Sequence, residues 1–217
     1  MGRDFDEARR AAETRASAEG LRYVHSADEP LLIAGVATCA LELFEAAPDL
    51  GVLFVPVGGG SGLLGAAVAR AFNPSTRVIG VQAEGAPAVY RSWKEGRRVT
   101  TEAASTFAEG LATRVPFDLS LPWLPRLVDE VMLVSDAELE GAIRLIPKTS
   151  RRVAEGAGAA AVAVAFRRRG ELAGERIGLI LSGGNITVAQ LRRVLDGGPA
   201  TSEAAAGSRS KGEPPTA

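Results

Sequence analysis

The apolar run Val52-Leu53-Phe54-Val55-Pro56-Val57 stops at Gly58-Gly59-Gly60-Ser61-Gly62, and the small-residue stretch Leu63-Leu64-Gly65-Ala66-Ala67 follows. A short apolar run rich in β-branched residues and bounded by glycines reads as a buried parallel strand. Glycine lets the backbone turn sharply and approach a ligand with no Cβ in the way. The helix that follows presents free N–H groups and the positive end of its dipole. Strand, glycines and helix start together make a phosphate cradle. The plainer alternative, a tight turn that holds nothing, suits one glycine pair better than this cluster.

The spacing fits neither common nucleotide motif cleanly. Gly60, Gly62 and Gly65 satisfy G-x-G-x-x-G, and Glu84 stands about twenty residues on, where a ribose-binding acid is sought. The Walker pattern needs Lys then Ser or Thr after the glycines, and Leu63-Leu64 supplies neither. On this segment alone a nicotinamide dinucleotide remains open.

The rest of the chain bounds the choice. With 217 residues, 46% of them hydrophobic, there is material for one large core. A net charge of −1 argues against a nucleic-acid partner. No apolar run reaches the ~18 residues of a membrane span, and Met1-Gly2-Arg3-Asp4 opens no secretory leader. The single cysteine, Cys39, excludes an internal disulfide and suits a reducing cytosol, so a cytoplasmic location is expected. Its place among Ala and Leu predicts a buried apolar thiol.

The periodicity predicts a helix over 5–19, a strand over 21–25, a turn at 26–30 and a helix from Pro30 to about Ala46. Further strands are expected at 77–82, 130–134 and 176–181, and further helices near 87–96, after Ser135, over the small apolar run 157–166, which reads as buried, and near Leu195. Residues 97–130 are irregular and proline-bearing. Ser135-Asp136-Ala137-Glu138 is a capping box, and Pro147 is expected to kink or split the helix it opens. Alternating strands and helices give an α/β class with a parallel, helix-flanked sheet, whose ligands bind beyond the strands' carboxyl ends. Both glycine clusters, after Val57 and after Leu181, lie there. The Gly/Ser/Pro/Ala-rich stretch 197–217 is expected to be a disordered tail.

Several segments then match one family in order: Val55-Pro56-Val57-Gly58-Gly59-Gly60-Ser61, Ile79-Gly80-Val81-Gln82-Ala83-Glu84-Gly85-Ala86-Pro87, Thr106-Phe107-Ala108-Glu109-Gly110-Leu111-Ala112, Ala154-Glu155-Gly156-Ala157-Gly158-Ala159 and Leu181-Ser182-Gly183-Gly184-Asn185. The chain resembles the threonine/serine dehydratases (ammonia-lyases) that depend on pyridoxal 5′-phosphate, the fold-type II, tryptophan synthase β-like group that includes serine racemase. The resemblance runs over roughly residues 5–195 and displaces the dinucleotide reading.

The resemblance implies that the amides of Gly58, Gly59, Gly60, Ser61 and Gly62 bind the cofactor phosphate. It implies that Ser182 meets the pyridine nitrogen, that Gly110 passes beside the ring oxygen, and that Glu155 lies near the cofactor. The plainer roles are a helix N-cap for Ser182 and first-turn dipole stabilisation for Glu155. Glu84 and the carbonyl of Ala88 match part of a divalent-cation site of some members, but Tyr90 stands where a further carboxylate would be. A solvated or N-capping role is therefore expected for Glu84. His25, the one histidine, has no chemical role in the family and is expected to be structural.

The family's catalytic lysine, in a Ser-x-Lys-x-Arg-Gly segment, and its Ser-x-Gly-Asn carboxylate loop have no match. Lys94, Lys148 and Lys211 are the chain's lysines, and none stands in such a segment. The expectation is the C-terminal portion of a dehydratase: residues 1–28 end the small domain and 29–196 form most of the large one. Its substrate would be threonine or serine, and alone it would be inactive. The alternatives are a non-catalytic cofactor-binding or interaction protein, and one half of a split enzyme completed by an N-terminal chain. A homo-oligomer is compatible with each.

Overall fold

The computed structural model describes residues 5–197. Helix α1 (Phe5–Glu19) and helix α2 (Pro30–Ala46) precede strand β1 (Val52–Pro56), helix α3 (Ser61–Ala69) and strand β2 (Arg77–Ala83). Helix α4 (Ala88–Glu95), the short helix α5 (Leu124–Leu127), strand β3 (Glu130–Val134) and helix α6 (Asp136–Ser150) follow. Helix α7 (Gly156–Arg167), strand β4 (Ile177–Leu179) and helix α8 (Val188–Leu195) close the fold.

The four strands form one wholly parallel sheet in the order β3-β2-β1-β4. Side chains alternate across it. Val52, Phe54, Ile79, Val81 and Ala83 pack with α6, α7 and α8 on one face. Leu53, Val55, Val57 and Val78 pack with α2, α3 and α5 on the other. Two covered faces explain why these strands are apolar at nearly every position. Gly80, paired with Val55, is glycine because a Cβ there would stand 2.7 Å from Leu63 and 2.9 Å from Val57.

The neighbouring places of β1 and β4 decide where the glycine clusters go. Both strands run the same way and pair Val52 with Ile177 and Phe54 with Leu179. The turns beyond them, at 58–62 and 182–184, therefore emerge side by side although about 120 residues separate them.

Four expectations are corrected. Residues 21–25 form no strand; they run along the surface, with Leu21 and Val24 exposed and no strand beside them to pair with. Pro147 neither splits nor ends α6, because it lies in the last turn. The amide it lacks would have bonded Ile143, and the helix ends three residues later at Ser150; the C-cap Arg151, with left-handed backbone (φ 57°), returns its N–H to the Pro147 carbonyl. Cys39 is exposed: Ala40 and Phe44 form the buried stripe of α2, and Cys39 falls on the outward side with Val36. In the 157–166 helix, Phe166 emerges into solvent while Ala157 to Ala165 are largely buried.

The 135–138 capping box forms as read. Among the described residues no helix is long and apolar enough to cross a membrane. The tail expected over 197–217 falls on residues 198–217, outside the described residues.

Candidate cofactor site

One cavity of about 380 Å³ receives both glycine turns. Gly58, Gly59, Gly60, Ser61 and Gly62 line it from the end of β1, Ser182 from the end of β4, Gly110 from the loop before α5, and Glu155 from the start of α7. All eight residues expected at a cofactor thus stand around a single space.

The walls approach one another backbone to backbone. A Cβ on Gly58 would stand 2.5 Å from the Gly110 carbonyl oxygen, and one on Gly110 would stand 2.8 Å from the Ala157 Cβ. Gly183 leaves room for the Glu155 carboxyl group, and its carbonyl accepts the Glu155 amide at 3.1 Å. Gly60 takes the left-handed conformation (φ 108°) that only glycine adopts freely, and it starts α3 without a side-chain cap. The first helical amides have no partner within their own helix. Among the described residues, none of the amides of 58–62 donates a turn, loop or cap hydrogen bond.

Glu155 precedes α7 as its N-cap residue, but its side chain makes no cap bond. Burial, and secondly the charge of Glu109, push its carboxyl pKa above the usual glutamate range. Ser182 is exposed and does not cap a helix: Thr187 caps α8, in a capping box with Gln190.

Three further groups at the cavity carry no motif. The Thr113 side chain is buried, and its hydroxyl has no hydrogen-bond partner in the structure. Ser26 and Ala27 bring the turn after α1 to the rim. Phe117 sits against Gly59, where its ring occupies the space a Cβ would need. Phe117 and Thr113 come from the aperiodic stretch 97–130; the one signal available was a large apolar residue directly after Pro116.

Other candidate residues lie elsewhere. Glu84 is exposed beyond β2 and does not cap α4, which starts after Pro87; Ala88 is buried at the first position of that helix. Among the described residues no group of three or more His, Cys, Asp or Glu is placed to hold a metal ion. Lys94 is exposed on α4, 5.7 Å above the Tyr90 ring. Lys148 lines a separate cavity of about 570 Å³ between α6 and α7, which none of the glycine-turn residues touches. Lys211 lies outside the described residues.

The family model described as "Pyridoxal-phosphate dependent enzyme" matches residues 1–183. The chain belongs to that family. Its members depend on pyridoxal phosphate, and its fold is the fold-type II arrangement. The chain is 38% identical over 198 residues to an L-threonine ammonia-lyase of Thermotoga maritima, covering 91% of this chain and 49% of that protein. The processed form of threonine deaminase isoform 2 from Solanum lycopersicum superposes with a TM-score of 0.84 at 31% identity, over 90% of this chain and 55% of that one. Maize serine racemase superposes with a TM-score of 0.79 at 27% identity, over 89% and 62%. The chain spans about half the length of the curated relatives it matches.

Proposed function

We propose that this chain supplies the phosphate- and ring-binding part of a threonine/serine dehydratase, which removes the β-hydroxyl of its substrate and yields a 2-oxo acid and ammonia. The observation that carries the reading is the meeting of residues 58–62, Gly110, Glu155 and Ser182 around one cavity. Three features support a fit to pyridoxal phosphate: amides of 58–62 with no described acceptor, glycines at 58, 110 and 183 where a Cβ would meet the facing wall, and the orphaned hydroxyl of Thr113.

When bound, the cofactor supplies an electron sink for the charge that develops as the substrate loses its α-proton. The chain's own residues do the rest of the holding. The amides of Gly58, Gly59, Gly60, Ser61 and Gly62, with the positive end of α3, take the phosphate dianion. Ser182, at the cavity wall, would hold the ring nitrogen through its hydroxyl; unlike a carboxylate, a hydroxyl would not keep that nitrogen protonated, so electron withdrawal would be weaker. Such tuning suits an elimination in which the leaving hydroxyl carries off the electrons. Gly110 gives the ring oxygen room, and the Glu155 carboxyl, raised in pKa, holds a proton at the cavity wall further up the pH scale than an exposed glutamate.

Among the described residues the lysine that bonds the cofactor and moves the α-proton has no counterpart, since neither Lys94 nor Lys148 reaches the cavity. The 217-residue chain therefore binds the cofactor without turning over substrate. Residues 1–28 are assigned to the end of a small domain and 29–196 to most of the large one. Dialysis with pyridoxal phosphate, followed by a threonine turnover assay, tests both halves: retained cofactor and no 2-oxobutanoate are expected. Turnover by the purified chain would end the inactivity reading, and failure to retain cofactor would end the site assignment.

One observation favours completion by a separate chain. Among the described residues strand β4 pairs only with β1, so its outer edge is unpaired there, and Leu181 and Val153 are exposed. A polypeptide carrying the lysine segment would restore turnover on mixing. The divalent-cation role of Glu84 and the Ala88 carbonyl is tested in the same assay by adding a chelator.

A further inference from the structure

The turn at 25–28 is tied to the glycine loop through a strap formed by residues 117–120. His25 Nδ1 accepts the amides of Ala27 (3.0 Å) and Asp28 (2.7 Å), which fixes the turn. The Asp28 carboxylate then reaches about ninety residues along the chain to accept the amides of Leu119 (2.8 Å) and Asp118 (3.1 Å). The His25 ring meets Phe117 edge-on, with centroids 4.8 Å apart. Phe117 N donates to the Gly59 carbonyl at 3.2 Å; Ser120 Oγ stands 3.2 Å from both the Gly59 and the Phe117 carbonyls and shares its one proton between them, and Phe117 and Ser120 are buried.

These bonds hold one peptide plane. In a trans peptide the carbonyl of Gly59 and the N–H of Gly60 point in opposite directions. The Phe117 amide on that carbonyl therefore leaves the Gly60 amide directed away from the strap, with no described acceptor. The Phe117 ring also stands where a Cβ on Gly59 would be, and Ser120 Oγ stands 2.8 Å from where one on Gly60 would be, so the loop packs directly against the strap.

We propose that His25 and Asp28 are positioning residues for phosphate binding: they clamp the strap, and the strap aims the amide of Gly60. The proposal rests on the reading of 58–62 as a phosphate site. Charge-assisted bonds from a carboxylate to backbone amides are among the stronger ones a protein makes, so releasing the strap affects the loop it holds.

The test uses the full 217-residue chain and pyridoxine 5′-phosphate, which lacks the aldehyde that would label surface lysines. Asp28→Ala is expected to weaken binding by equilibrium dialysis roughly tenfold, the worth of one good hydrogen bond. Asp28→Asn, which keeps one acceptor, is expected to fall between. His25→Ala is expected to lose affinity, and His25→Asn, which restores an acceptor near Nδ1, to recover part of it. Hydrogen exchange gives the readout that general loosening would not: the Phe117 amide, which donates to the Gly59 carbonyl, speeds up roughly tenfold while those of β2 keep their protection. Unchanged affinity in Asp28→Ala, or equal acceleration in β2, would overturn the proposal; where Asp28→Ala does not fold, Asp28→Asn decides by the same criteria. Absence of binding by the unsubstituted chain would instead remove the phosphate reading beneath it.

Discussion

Helices α6 and α3 begin in opposite ways. At α6 the Ser135 hydroxyl accepts the Glu138 amide, and the Glu138 carboxylate accepts the Ser135 amide at 2.8 Å. Helix α8 repeats the device with Thr187 and Gln190. At α3 the N-cap is a left-handed glycine with no side chain to offer, and α7 begins at a glutamate that makes no cap bond. The self-capped starts of α6 and α8 lie away from the 380 Å³ cavity and the uncapped starts of α3 and α7 line it, while α2, α4 and α5 begin uncapped elsewhere. Where a helix completes its own hydrogen bonding it needs nothing else; where it does not, the free donors are available to a bound anion.

The largest effect that sharpens this contrast is expected from Gly59→Ala. The new methyl group would overlap the Phe117 ring, in a buried loop with no slack. A loss of about 3 kcal/mol in denaturant unfolding is expected, the upper part of the overpacking range, together with loss of pyridoxine 5′-phosphate binding. Gly59→Ala combined with Phe117→Leu should regain part of both; a double variant no better than the single one would show that the ring is not the obstacle. Gly183→Ala comes next. Its methyl group would displace the Glu155 carboxyl group and, at about 1–2 kcal/mol, should also weaken cofactor retention.

Ser135→Ala breaks the comparison from the other side. Removing a capping side chain costs about 1 kcal/mol. Because this cap lies outside the cavity, the affinity for pyridoxine 5′-phosphate should not move. If it fell with the stability, the division between self-capped and ligand-facing helix starts would lose its basis.

How much of this was legible in the sequence follows the same division. Local devices announced themselves: the glycine run after an apolar strand, the Ser135–Glu138 box, the alternation of strand and helix. The class of fold and eight cavity residues followed from them and from the family resemblance. What was not legible depends on the neighbours a segment meets. Residues 21–25 have strand-like composition but no adjacent strand, and Cys39 has apolar sequence neighbours but lies off the buried stripe of α2. Phe117, Ser120 and Thr113 carry no periodic signal, because a strap is positioned by hydrogen bonds to distant backbone and not by a repeating face. Asp28 read as an ordinary turn residue; its partners lie about ninety positions away.

The smallest expected effect has opposite signs at the two kinds of helix start. Burial pulls the Glu138 carboxyl upward, but the Ser135 amide and hydroxyl and the Arg167 guanidinium outweigh it and hold the pKa below the ordinary 4.5. Its folded state keeps the charge that the unfolded chain gives up, so its contribution is complete above 4.5 and is lost as pH falls through the lowered value. Glu155 behaves in reverse. Burial and the Glu109 charge raise it above 4.5, so the folded state holds a proton the unfolded chain has released, and stability declines as pH rises from 4.5 through the raised value. Thermal midpoints measured across the acidic range should therefore flatten on the low-pH side in Glu138→Gln and on the higher-pH side in Glu155→Gln. Cofactor phosphate adds charge near Glu155 and none near Glu138, so pyridoxine 5′-phosphate should steepen the second limb alone. A ligand effect on both limbs, or on neither, would mean that Glu155 does not share a cavity with the phosphate.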